Sequence, residues 1–178
     1  MEERFDEFDE YRRSTGRTVS RAQAHRDGLW HQTAHLWLTD GKGQLLLQQR
    51  HPSKETDPGR WDIAVAGHVS AGQTPLEALM REAREELGLV LDPDCVTGLG
   101  VCRKEYLSAR YRDREWQHAF AGVWSGLLDT LVLQAEEVVS VRWLDFMSFR
   151  RAMDTGDTTF VDRSEDWPAF EAWISTGF

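Results

Sequence analysis

Residues 67–89, GHVSAGQTPLEALMREAREELGL, decide the fold. Thr74-Pro75-Leu76-Glu77 reads as a helix start: a threonine cap, proline at the first helical position, and a glutamate placed to bond back to the cap. Gly88 supplies the residue that closes the helix. At about 100° per residue, Leu76, Leu79, Met80, Ala83 and Leu87 gather on one face, the side that seeks a core. Glu82, Glu85 and Glu86 form a different stripe, because 82 relates to 85 and 86 by i+3 and i+4. Like charges at these spacings destabilise a helix by roughly 0.2–0.5 kcal/mol per pair. A bound cation removes that repulsion, and clustered hard oxygen ligands suit Mg²⁺ or Mn²⁺. Taken alone, the three carboxylates are better read as a solvated acidic face with Arg81 and Arg84 nearby.

The spacing of the whole segment reverses that preference. It resembles the Nudix box: Gly, five residues, Glu, seven residues, then Arg-Glu-apolar-x-Glu-Glu-x-Gly-apolar. Gly67, Arg81, Glu82, Ala83, Glu85, Glu86, Gly88 and Leu89 all fall in place, and Gln73 stands where the first Glu belongs. The resemblance implies an α/β fold, the Nudix α/β/α sandwich around a central mixed β-sheet, and metal-dependent cleavage of a diphosphate linkage. It implies that Glu82, Glu85 and Glu86 are catalytic and hold Mg²⁺ or Mn²⁺, with the Gly67 carbonyl as a further ligand. Arg81 would orient a box carboxylate. The general base stays open among Glu82, Glu115, Glu136 and Glu137.

A second resemblance covers most of the chain. AHRDGLWHQTAHLWL, GQLLLQQR and PGRWD are similar to the superfamily branch that contains isopentenyl-diphosphate isomerase. By that likeness Arg50 and Lys54 would bind the diphosphate. His25, His31 and His68 match the isomerase's metal histidines, with the 25–31 spacing one residue short, and Glu115 matches a metal glutamate. Two positions contradict isomerase chemistry. Ala66 stands in place of the catalytic cysteine, and Gln117 in place of a catalytic acid. Neither can donate or accept the proton that acid–base catalysis requires. The expected function is therefore hydrolysis of a small, nucleoside-diphosphate-type substrate. The alternatives are an isomerase-like activity or a non-catalytic module retaining the fold. For each histidine taken singly, a hydrogen-bonded structural role is the commoner explanation.

Working outward from the box, residues 31–39 predict a strand, 40–43 a turn and 44–50 a second strand paired back on the first. Residues 61–66 predict one buried strand. A hairpin is expected over about 3–20, turning at 12–16, followed by a short helix capped by Ser20. Strands near 96–105, 116–124 and 138–144 follow. Two C-terminal helices are expected over about 145–176, capped by Asp145 and Ser164. Trp167, Phe170, Trp173 and Ile174 make an apolar helical face for the core or a homodimer interface. Trp61 and Trp116 suit core packing or stacking on a base. One domain spanning 1–178 is expected.

Composition narrows the partners. Apolar residues at 40% and charged residues at 29% are ordinary for a globular chain, and no apolar run approaches the roughly 20 residues that span a bilayer. The acidic first residues lack the basic start of a secretory signal. Cys95 and Cys102 form no CxxC pair or disulfide framework, so a reducing, cytoplasmic setting is expected. A net charge of −9 repels nucleic-acid polymers and anionic membranes. The expected partner is a small-molecule diphosphate, for which local basic residues or bound cations must invert the field.

Overall fold

The computed structural model describes residues 2–107 and 112–177. Its centre is β3 (Trp30–Thr39). One edge of β3 runs parallel to β8 (Arg112–Val123), in register from Trp30↔Arg114 to Thr39↔Val123. The other edge pairs antiparallel with β6 (Val65–His68) through Thr33↔His68 to Leu36↔Val65. The outer side of β8 carries β7 (Val96–Leu107). The N-terminal hairpin, β1 (Arg4–Phe8) with β2 (Ser14–Ser20), joins β3 at Phe8↔Trp30. Its turn lies earlier in the chain than expected. The Asp9 carboxylate accepts from the backbone N–H groups of Tyr11 and Arg13, and Arg12 takes φ 60.

The hairpin expected from residues 31–50 holds at its turn alone. β4 (Gln44–Arg50) meets β3 at Thr39↔Leu45 and then diverges to pair with β5 (Trp61–Ile63) and β9 (Val138–Asp145). The single strand expected at 61–66 is two strands for the same reason. β5 follows β4, the chain crosses over at Ala64, and β6 follows β3. A split opens between the two halves of the sheet, and the candidate site residues line it.

Period-two alternation assigns the faces. Leu36, Leu38 and Leu46 pack under α2 (Pro75–Leu87) with Ala78, Leu79, Ala83 and Leu87. Trp37, Leu45 and Leu47 face α3 (Phe146–Thr155) and α4 (Trp167–Ser175). This is an α/β/α sandwich around a mixed sheet. Thr74 caps α2 reciprocally with Glu77, and Gly88 closes it at φ 64. Ser20 caps α1 (Arg21–Asp27), and Asp145 caps α3. α4 differs from expectation: it opens at Asp166, not Ser164, and has no side-chain cap. The Asp166 carboxylate is used elsewhere, accepting from Trp37 Nε1 at 3.2 Å and lying 3.0 Å from His35 Nδ1. Trp167 and Phe170 are buried with Trp37, and Trp173 and Ile174 pack against them, so this face builds the core. No helix among the described residues is long and apolar enough to cross a membrane.

Candidate active site

The split in the sheet holds a cavity of about 900 Å³. Glu82, Glu85 and Glu86 line it from α2, Arg50 and Lys54 from the end of β4 and the following loop, and Glu115 from β8.

Gly67 explains itself by a close approach. A Cβ there would lie 2.6 Å from both Cγ and Cδ of Glu82, so glycine alone lets this carboxylate rest against β6. Arg81 binds the box together: it donates to Glu85 Oε2 at 2.9 Å, to the His68 carbonyl at 3.2 Å and to Gln73 Oε1 at 3.4 Å, and pairs with Glu82 at 2.9 Å. Gln73 thus keeps an acceptor for Arg81 at the box position where glutamate is expected.

Glu86 is buried, and Gln48 Nε2 donates to its Oε2 at 3.0 Å. Burial, reinforced by the charge of Glu82, pushes its carboxyl up to about 7. Burial also raises Glu82. Two carboxylates forced together out of water are a cation's natural counterpart. Glu85 is half exposed and tied to Arg81. The three box carboxylates do not bring their oxygens within 4.8 Å of one another as a set, whereas two other groups among the described residues do meet that condition.

Those groups are His25, His31 and His68, and His31, Asp113 and Glu115. Glu115 therefore stands with the histidines: His68 Nε2 is 3.9 Å from its Oε1, and His31 Nε2 is 3.5 Å from Asp113 Oδ1. Phe5 of β1 stacks on His31 and His68 at 4.8 and 4.7 Å, roofing the group. Burial lowers His25 to about 4 and holds His31 and His68 below the ordinary histidine range, so all three are neutral near pH 7. Burial opposes ionisation of Glu115, yet its carboxyl is held below the ordinary range, with the Gln117 amide donating to its Oε2 at 2.6 Å. Each ring is held at Nδ1, His31 by the Leu29 carbonyl at 2.9 Å and His68 by Arg21 at 3.4 Å, as expected for these positions singly, while the Nε2 atoms of both are buried with no hydrogen-bond partner.

The basic pair is engaged. Arg50 donates to the Thr56 carbonyl through Nε and Nη2 at 3.2 and 3.0 Å and pairs with Asp62 at 3.3 Å. It therefore braces the loop that carries Lys54. Lys54 forms an ion pair with Glu137, which lines the cavity, while Glu136 is exposed and outside it. Trp61 packs under the Arg142 guanidinium and Trp116 against Trp30, and neither lines the cavity.

Sequence reading missed Asp113, which period two places on the Glu115 face of β8. It also missed Asp62 and Arg163. Arg163 grips both oxygens of Asp62 at 2.8 and 2.7 Å from 101 residues away, and no local pattern announces such a pair.

Comparison with known proteins agrees with this geometry. The family model for the NUDIX domain matches residues 29–163. An uncharacterized Nudix hydrolase of Clostridium acetobutylicum is 35% identical over 86% of this chain and 76% of its own length. The isopentenyl-diphosphate Delta-isomerase of an Escherichia coli strain is 30% identical over 80% of this chain and 78% of its own. A crystal structure from Deinococcus radiodurans superposes with a TM-score of 0.62 at 25% identity, covering 84% of this chain and 89% of that one. With a matched model over most of its length, a box of carboxylates on the cavity wall and hydrolases among its named relatives, the chain belongs to the Nudix family, as a hydrolase of acid anhydrides.

Proposed function

We propose that the chain cleaves the diphosphate linkage of a small, nucleoside-diphosphate-type molecule, with Mg²⁺ or Mn²⁺ held by Glu82, Glu85, Glu86 and the Gly67 carbonyl. One observation carries this reading. The half-buried Glu82 and the buried Glu86 share a cavity with Arg50 and Lys54, close enough that Lys54 and Glu86 each feel the other's charge. Hard oxygens with raised proton affinity fit a divalent cation. Such an ion would polarise a phosphoryl oxygen and lower the pKa of a water. Lys54 presents a mobile point charge, and an incoming phosphate would take the place of Glu137 at its ammonium. Arg50 fixes the loop, and Arg81 holds Glu82 and Glu85 in place. A neighbour in fold points to the same substrate class: the Nudix domain of Shewanella oneidensis NrtR is solved with ADP-ribose (TM-score 0.52, 18% identity).

The histidine group fits a second divalent ion. Three neutral imidazoles with Glu115 and Asp113 make a nitrogen–oxygen donor set suited to a transition metal. Elemental analysis of purified protein, before and after His31→Ala, tests this: the variant should lose one bound equivalent.

The reaction is tested by phosphate release across nucleoside di- and triphosphates, dinucleoside polyphosphates, sugar nucleotides and coenzyme A, with each metal. Cleavage should vanish in chelator and return with Mg²⁺ or Mn²⁺. Release that persists in chelator would end the metal reading, and no release from any compound would end the hydrolase reading for these substrates.

A further inference from the structure

Asp62 is where two distant parts of the chain meet. It lies opposite Gln48 in the β4–β5 pair and so shares a face with Arg50, two residues further along β4. Its buried carboxylate is surrounded by donors. Arg163 Nε donates to Oδ1 at 2.8 Å and Arg163 Nη2 to Oδ2 at 2.7 Å. The Ile63 backbone N–H donates to Oδ1 at 2.8 Å, and Arg50 Nη1 reaches Oδ2 at 3.3 Å.

The two arginines do not share this carboxylate equally. Arg163 makes the short bonds, in the parallel geometry that suits a guanidinium on a carboxylate. Arg50 turns its Nε–Nη2 edge to the Thr56 carbonyl at 3.2 and 3.0 Å, and Nη2 also donates to Thr56 Oγ1 at 3.2 Å. Burial opposes ionisation of Asp62, yet the charges of Arg163 and then Arg50 hold its carboxyl below the ordinary range. Arg163 is itself fixed from the C-terminal side. The Trp61 N–H donates to the Thr159 carbonyl and the Val161 N–H to the Trp61 carbonyl, both at 2.9 Å, so the segment before Arg163 lies against β5. The Arg163 carbonyl accepts from the Trp167 N–H at 2.9 Å, where α4 begins.

We propose that Arg163 is a positioning residue for the loop that carries Lys54: by taking both oxygens of Asp62, it leaves Arg50 free to grip Thr56. The effect on substrate rests on the diphosphate reading above, to which this adds a residue from the far end of the chain. Without Arg163, the buried carboxylate would keep only the more distant arginine. A buried charge short of partners is costly, so Asp62 would draw the Arg50 guanidinium toward itself and away from Thr56. Residues 51–60 would loosen, and Lys54 would lose its fixed place on the cavity wall. The harm comes from the stranded carboxylate and not from the missing guanidinium, so removing the carboxylate as well should undo it.

Hydrogen exchange on the full chain reads the loop with no ligand present. Arg163→Gln should speed amide exchange across residues 51–60 about tenfold or more, while α2 and β3 keep nearly the parent rate. Combining Asp62→Asn with Arg163→Gln should return the loop toward the parent rate, and Arg163→Lys, which keeps the charge, should fall between. Calorimetry with Mg²⁺ and methylenediphosphonate, a diphosphate analogue whose bridging carbon resists hydrolysis, reads the consequence. Arg163→Gln should weaken binding about tenfold when Lys54 is present and hardly at all beside Lys54→Ala, because the loss passes through Lys54. Unchanged loop exchange, or a double variant no closer to the parent than Arg163→Gln, would overturn the positioning role. Equal losses with and without Lys54 would overturn it too, by placing Arg163 on the substrate directly. Should Arg163→Gln fail to fold, the other two decide: the double variant must lie closer to the parent than Arg163→Lys does. The exchange pattern in a protein that binds no methylenediphosphonate would keep the loop role and remove the diphosphate reading, and binding with an unchanged loop would do the reverse.

Discussion

Gly67 and Glu82 touch across the strand–helix junction so closely that one added methyl group would lie 2.6 Å from the glutamate's Cγ, Cδ being equally near. The atoms in the way belong to a side chain that can swing aside, so Gly67→Ala should fold. Glu82 would then leave its place against β6. Misplacing a catalytic group by about 1 Å can cost on the order of a hundredfold. Gly67→Ala should therefore lose ten- to a hundredfold in kcat with little change in melting temperature. A variant as active as the parent would show that the position of Glu82 does not matter.

Glu86 carries a cost that metal should relieve. Its carboxyl is raised from 4.5 to about 7 by burial and by Glu82. A raised carboxyl means that the folded state holds its proton more tightly than the unfolded chain does. Without metal, the ionised group destabilises the fold fully above about pH 7, and the penalty disappears as pH falls toward 4.5. Each pKa unit corresponds to about 1.4 kcal/mol. Glu86→Gln removes the charge and keeps an acceptor for Gln48. In chelator at pH 8 the variant should melt several degrees above the parent, and the gap should close by pH 5. The same variant should lose activity by orders of magnitude. Thermal melts across pH check the first point, and a lower melting temperature at pH 8 would refute it.

Much of this was legible in the sequence, and the reasons differ by element. The cap at Thr74, the apolar stripe of α2 and the glutamate stripe depend on contacts within four residues, which spacing records directly. The alternation of β3 likewise revealed which residues share a face. The divergence of β4 from β3 was not legible, because a turn such as Asp40–Gly43 predicts a pair of strands and says nothing of how far they stay together. Nor was the start of α4, where Asp166 serves His35 and Trp37, partners roughly 130 positions away in the chain. The histidines show the same limit in reverse. Each alone reads as structural, and the fold makes them a group by drawing α1, β3 and β6 together.

Lys54 and Arg50 should separate by kinetics. Lys54 reaches the cavity on a flexible stem and is held there by Glu137. Losing a charge-assisted contact with the substrate costs on the order of 1.5–3 kcal/mol, so Lys54→Ala should lower kcat/KM about ten- to a hundredfold with metal affinity kept. Arg50 grips the Thr56 carbonyl and Asp62. Its removal should loosen the loop and also reduce stability. Arg50→Lys should not rescue, since one ammonium cannot replace a fork that bonds a carbonyl and a carboxylate together. Glu136→Gln, on an exposed side chain outside the cavity, is the control expected to be silent. Equal effects of Lys54→Ala and Arg50→Ala on kcat/KM, with equal stability, would mean that neither role is assigned correctly.

The 30% identity to an isopentenyl-diphosphate isomerase makes isomerisation the sharpest alternative to exclude. Moving a double bond requires one group to add a proton and another to remove one. Ala66 has no titratable atom, and Gln117 offers an amide whose nitrogen donates to Glu115 Oε2 at 2.6 Å. Both line the cavity, so the deficiency lies in the chemistry of the wall and not in its access. Incubation with isopentenyl diphosphate should form dimethylallyl diphosphate at no more than the uncatalysed rate. Ala66→Cys alone should leave it so, because the second proton-transfer group is still missing. Ala66→Cys combined with Gln117→Glu is the smallest change that supplies both. Conversion proportional to enzyme in the parent protein, followed by deuterium exchange into the product, would show that proton transfer proceeds through groups other than these two.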